Sequence, residues 1–182
     1  MEKKPSKKAF QYDLDFRKTN FREHPELYRV GVGEQGVLLV EPYKSEILPL
    51  WRFRTEAIAQ ESAEAIYKKF ETYLAEQDFV GADMARKYLQ MGFTRARRYA
   101  NHASGKKYTE QESDYEPETR AYPYSSGSIH KKNPLRPQEE DALTSEKAKA
   151  ATVFKAYWDQ ARQHPEYLKQ KEAFNEKYVR GK

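Results

Sequence analysis

At 182 residues, with 38% hydrophobic and 34% charged residues and a net charge of +5, the chain has room for one domain around a modest core. It has no cysteine, which excludes a disulfide framework and thiolate chemistry and argues against the common structural zinc sites. No apolar run approaches the ~20 residues of a membrane span, and the charged start has no apolar stretch after it, so a cytoplasmic protein with no membrane partner is expected.

Residues 1–9 read as a flexible basic tail. Tyr12, Leu14 and Phe16 alternate as a short strand or an extended arm would. His24-Pro25-Glu26-Leu27-Tyr28 has the form of one helical turn with proline at its first position, and His164-Pro165-Glu166-Tyr167-Leu168 repeats it. Tyr28 to Gly31 and Gly36 to Tyr43 are apolar and partly β-branched, and are expected to be strands. Between them, Gly31-Val-Gly33-Glu-Gln-Gly36 has the letters of a dinucleotide-binding fingerprint. No helix pattern follows, so a hairpin loop is expected, able to hold an anion through its N–H groups. Ile47, Leu48, Leu50, Trp51 and Phe53 form an irregular segment or third strand; Trp51 beside Arg52 has the make-up to stack a base, although such a ring more often fills a core with its N–H paired.

Thr55 is the expected N-cap of a helix from Glu56 to about Gln77, net acidic on its outer side. Asp78 caps a second helix, Phe79 to His102. One side carries Ala85, Tyr88, Leu89, Gly92, Phe93, Ala96, Tyr99 and Ala100; the other carries Arg86, Lys87, Thr94, Arg95, Arg97, Arg98 and His102. Gly81 and Gly92 lie on the apolar side, where close approach by a neighbour would justify a loss of roughly 0.5–1 kcal/mol each relative to alanine. Tyr99 is assigned to the core, not to a stacking surface. Lys106 and Lys107 follow in the next loop. Glu110, Glu112, Asp114, Glu116 and Glu118 then form an acidic run, hypothesised to fold back on Arg95, Arg97 and Arg98. Residues 110–142 read as one long irregular loop, acidic and proline-rich. Thr144 or Ser145 caps a further helix striped with Ala150, Val153, Phe154, Tyr157, Trp158 and Ala161, and His164-Pro165 breaks it to start a last helix through Tyr178.

The expected fold is therefore α+β and mainly helical. A small N-terminal β-hairpin or three-stranded sheet packs on two helical hairpins, with residues 10–109 and 143–180 in one domain.

The segments His24-Pro-Glu-Leu-Tyr-Arg-Val-Gly, Gly33-Glu-Gln-Gly-Val-Leu-Leu-Val-Glu-Pro-Tyr-Lys-Ser-Glu-Ile-Leu-Pro, Trp51-Arg-Phe, Asp78-Phe-Val-Gly-Ala-Asp-Met-Ala-Arg-Lys and Gly92-Phe-Thr-Arg-Ala-Arg-Arg-Tyr-Ala-Asn-His resemble the family named domain of unknown function 4385. The resemblance covers roughly residues 10–108 and the last helical hairpin. It implies a distinct domain, and no activity, cofactor or catalytic residue comes with it.

Chemistry is sparse. His24, His102, His130 and His164 have no partners at metal spacing, and no phosphate-loop or nucleophile-elbow motif is present, so no metal, cofactor or reaction is assigned. The one pointer to a partner is the acid-free stretch between Asp83 and Glu110. Arg86, Lys87, Arg95, Arg97, Arg98, Lys106 and Lys107 suit the phosphates of a nucleic acid. Two alternatives stand beside it: a nucleotide-binding or catalytic pocket between hairpin loop and helices, using Glu34, Lys44, Trp51, Arg52 and Arg54, and a module that docks an acidic protein.

Overall fold

A computed structural model of the protein describes residues 10–110 and 132–180. The expected basic tail, and the acidic run from Glu112 to Glu118, lie outside the described residues. Among the described residues five α-helices follow in order: α1 Tyr43–Ile47, α2 Glu56–Ala75, α3 Phe79–Asn101, α4 Glu146–Gln163 and α5 Pro165–Asn175. Short 3-10 turns occupy Pro25–Leu27, Leu48–Leu50 and Ala103–Gly105, and a π-helical turn, Glu176–Arg180, closes the described chain.

The long helices begin where their caps place them. Thr55 Oγ1 accepts from the Ile58 N–H, Asp78 from Gly81 and Ser145 from Ala148, each satisfying an N–H that the helix leaves orphaned. Pro165 opens α5 at the first position, as its fixed φ allows.

α2 and α4 run parallel and touch each other, with α3 antiparallel to both. The Glu56 N–H at the start of α2 donates to Glu146 at the start of α4 at 3.0 Å, while Tyr99 near the end of α3 meets Phe53 just before α2. The glycines of α3 explain how closely these helices approach. A Cβ on Gly92 would run into the ring of fully buried Phe154 of α4, and one on Gly81 would lie 2.7 Å from Tyr73 of α2. α5 crosses the opposite end, where Tyr167 stacks on Phe79 and Phe174 meets it at a tilt.

The expected sheet is not there. Among the described residues there is no strand, only an isolated antiparallel bridge between Tyr108 and Leu135. The fold is all-helical, which corrects the α+β expectation. Residues 10–42 instead form a chain of turns over α3: Leu39 N–H and Val40 N–H both donate to the Gly36 carbonyl, and Lys44 N–H to that of Val40. Val37 and Val40 are buried there, so packing against helices, with no partner strand, satisfies the apolar run. Phe10, Phe16, Phe21 and Tyr28 continue it as a row of ring contacts. That layer lies on the side of α3 that its own periodicity marks as polar.

Candidate nucleic-acid interface

The first half of α3 turns its charges inward. Asp83 and Lys87 have no accessible surface, and the Arg86 side chain keeps only 12%. Arg86 Nε donates to Asp83 Oδ1 at 2.8 Å, Tyr167 hydroxyl donates to the same oxygen at 2.6 Å, and Tyr28 hydroxyl donates to Oδ2. Burial alone would push the Asp83 carboxyl up, but the Arg86 and Lys87 charges and the two hydroxyls outweigh it and hold it well below the usual carboxylate range. Lys87 Nζ lies 3.8 Å from Asp83 and donates to the carbonyls of Val30 and, at 2.6 Å, Gln35. Burial brings its pKa down to about 8, against the pull of Asp83.

This arrangement corrects two expectations. Arg86 and Lys87 do not project outward to meet phosphates. The glycine-containing loop 31–36 turns a carbonyl, not an anion-binding N–H, toward α3: Gln35, with Val30 just before the loop, accepts from the Lys87 ammonium. A positive φ at Gly31 (68°) and Gly36 (81°) makes the required bends, which only glycine adopts without strain.

Beyond Thr94, whose hydroxyl donates to Glu34 at 2.5 Å, the covering layer ends and α3 emerges. Arg97 holds the segment leading into α4: its guanidinium donates to Asn101 Oδ1 at 3.0 and 2.8 Å and to the Ala142 carbonyl. Lys106 pairs with Glu110 at 2.8 Å, so Glu110 is the described part of the acidic run that meets a base. Lys107 sits 5.5 Å from the Tyr108 ring centroid. Arg95 and Arg98 are half-buried, with no hydrogen bond or ion pair among the described residues. No ion pair there joins α2 to α3, so the acidic side of α2 does not neutralise them.

Tyr99 is 43% exposed, which corrects its assignment to the core. Its ring lies 5.8 Å from Phe53, itself 4.9 Å from Trp51. Lys147, in the first turn of α4, donates to the Phe53 carbonyl at 3.1 Å and lies over the Phe53 and Tyr99 rings at 4.7 and 5.7 Å. Burial and the nearby Arg54 charge lower its pKa. Trp51 is half-buried, and its Nε1 meets no acceptor among the described residues, contrary to the expected pairing. Phe53 and Lys147 were missed as site residues, since nothing in the sequence joins residues so far apart.

No hydrogen bond or ion pair among the described residues joins the residues of the expected pocket to one another. Glu34 is held by Thr94, Lys44 lies 3.9 Å from Glu41, and Arg52 is exposed beside a backbone N–H that donates to Ser62. Only Trp51 and Arg54 join the Tyr99 cluster. A cavity of about 480 Å³ opens at the other end of the bundle, lined by Arg22, Asp78, Phe79, Gln170, Phe174 and Tyr178 among others, and none of the expected site residues reaches it. Arg22 at its edge is bidentate to Glu46 at 2.8 and 2.9 Å, and Tyr43 and Tyr73 hydroxyls donate to Asp78 and Glu46, so these charges are mutually satisfied. Among the described residues no group of three or more acids and histidines is placed to hold a metal, and no helix is long and apolar enough to cross a membrane.

The chain belongs to the family described as domain of unknown function (DUF4385), whose model matches residues 11–177. No curated protein matches the chain, and no solved structure matches it.

Proposed function

We propose that this domain binds nucleic acid through its phosphates, at the end of the bundle where α3 finishes and α4 begins. The observation that carries the reading is the pair Arg95 and Arg98, accessible and without a carboxylate partner among the described residues. Arg54, Lys107 and Lys147 extend the positive surface around them. Guanidinium forks match phosphate oxygens, and lysines add point charge. Arg86 and Lys87 take no part; they hold the fold. Contacts of this kind supply affinity and register but do not read sequence.

Fluorescence anisotropy with a short labelled oligonucleotide tests the reading at about 50 and 200 mM salt. Binding weakens steeply with salt, and Arg95→Ala with Arg98→Ala lowers the slope of log K against log salt by about 1 for each residue removed. Salt-insensitive binding, or a slope unchanged in the double variant, overturns it. Binding of an acidic polypeptide in place of the oligonucleotide would make the surface a protein-docking site.

A further inference from the structure

Past the end of α3 the chain doubles back on itself. Arg136 N–H donates to the Lys107 carbonyl at 2.9 Å and Thr109 N–H to that of Pro134 at 3.0 Å, on either side of the antiparallel bridge between Tyr108 and Leu135. That register sets Lys107 directly opposite Arg136, on one face of the paired segments. The pair is tied to the helix end: Glu139 N–H donates to the Asn101 carbonyl at 2.8 Å, and His102 Nδ1 lies 3.1 Å from the Pro137 carbonyl. Arg136 is half-buried. Its Nε donates to the Tyr108 carbonyl at 3.2 Å, which fixes the guanidinium and leaves both Nη groups without a partner among the described residues. Lys107 is exposed, and its ammonium makes no hydrogen bond or ion pair there. Glu110, the acid nearest to Lys107 in sequence, is taken by Lys106, and Glu139 forms no ion pair with Arg136.

We propose that Lys107 and Arg136 form a clamp that holds one backbone phosphate of the nucleic acid between them. The proposal rests on the phosphate-binding reading above and adds to it Arg136, which no sequence pattern joins to the basic end of α3. Like charges directly opposite each other across paired segments destabilise the pairing. A phosphate between them turns that repulsion into two attractions. With Nε tied to a carbonyl, the guanidinium offers its two Nη groups as a fork to two phosphate oxygens, and the ammonium adds point charge from the facing segment. The hydrogen bonds to Asn101 and Pro137 hold the clamp in place before the ligand arrives, so little ordering is left to oppose binding.

The experiment measures binding of a labelled oligonucleotide between about 50 and 200 mM salt for the full chain, for Lys107→Gln, for Arg136→Gln and for the two together. The Lys107 side chain makes no hydrogen bond within the paired segments, so its loss leaves them intact, and thermal melts confirm that every variant folds. Each single variant weakens binding but keeps most of the salt dependence, because the remaining cation still neutralises the phosphate. The double variant lowers the slope of log K against log salt by about 1, the loss of one phosphate contact. Arg136→Lys, which keeps the charge and loses the fork, keeps the slope and weakens binding. A slope lowered by about 2 in the double variant makes the two residues independent contacts and overturns the clamp. Affinity and slope unchanged in the double variant overturn it too. If Arg95→Ala with Arg98→Ala flattens the salt dependence while the Lys107 and Arg136 variants change nothing, the phosphate reading stands and the clamp falls. If no oligonucleotide binds, both fall.

Discussion

Asp83 sits where two cations and two hydroxyls converge without solvent, so its charge is held by geometry. Taking away one partner of a buried ion pair leaves the others uncompensated. Asp83→Asn therefore destabilises the fold by about 3–5 kcal/mol, read from urea denaturation. Its carboxyl is depressed in the folded state, so the stability it contributes is present above about pH 4 and falls away as the pH drops below that. Lys87 has the same sign of pH dependence in a higher window. Its folded pKa of about 8 lies below the ordinary lysine value of about 10.4, so between those limits the unfolded chain binds more protons. Asp83 and Arg86 share its helix, Tyr28 faces it from the covering layer, and Lys171 adds charge from α5. The stability of the wild type relative to Lys87→Met rises from about pH 8 to about 10.4, and denaturation at a series of pH values measures it; a falling difference would contradict the assignment.

At the scale of elements, α2 to α5 were legible because local signals define them, whereas α1 lies where strand or irregular chain was expected. Thr55, Asp78 and Ser145 cap them, Pro165 starts α5, and the apolar side of α3 is read from its period. Thr55→Ala, which removes only a cap bond, costs about 1 kcal/mol in a denaturant melt. Gly92 sets two effects against each other. Alanine is the better helix former by up to about 1 kcal/mol, but its Cβ meets the fully buried Phe154 ring. Overpacking costs typically 1–3 kcal/mol, so Gly92→Ala is net destabilising, by about 1–2 kcal/mol; a rise in Tm would show that Phe154 repacks freely. The strands were misread for a definite reason. Alternating and β-branched residues report that a segment is half-buried, and the run ending at Val40 is buried. They do not report whether a second strand lies alongside, and here helices supply the burial.

For the molecule as a whole, the net charge of +5 conceals an uneven distribution. Glu110 already pairs with Lys106, and the acids that follow it lie next to the basic end in sequence. Replacing Glu110, Glu112, Asp114, Glu116 and Glu118 by their amides is expected to tighten oligonucleotide binding at low salt, as removal of like charge from a polyanion site requires. Unchanged affinity would show that the run does not compete. The sequence by itself determined the four longer helices, their caps, the close approaches at Gly81 and Gly92 and the family, because these depend on neighbours a few residues apart or on long matching segments. Only the tertiary structure decided which cations are available. The periodicity of α3 marks one side as polar, but it does not contain the layer of residues 10–42 that covers half of that side. Arg86 and Lys87 became internal ligands of Asp83, whereas Arg95 and Arg98 lie beyond the layer's edge, and Tyr99 came to rest beside Phe53 and Lys147.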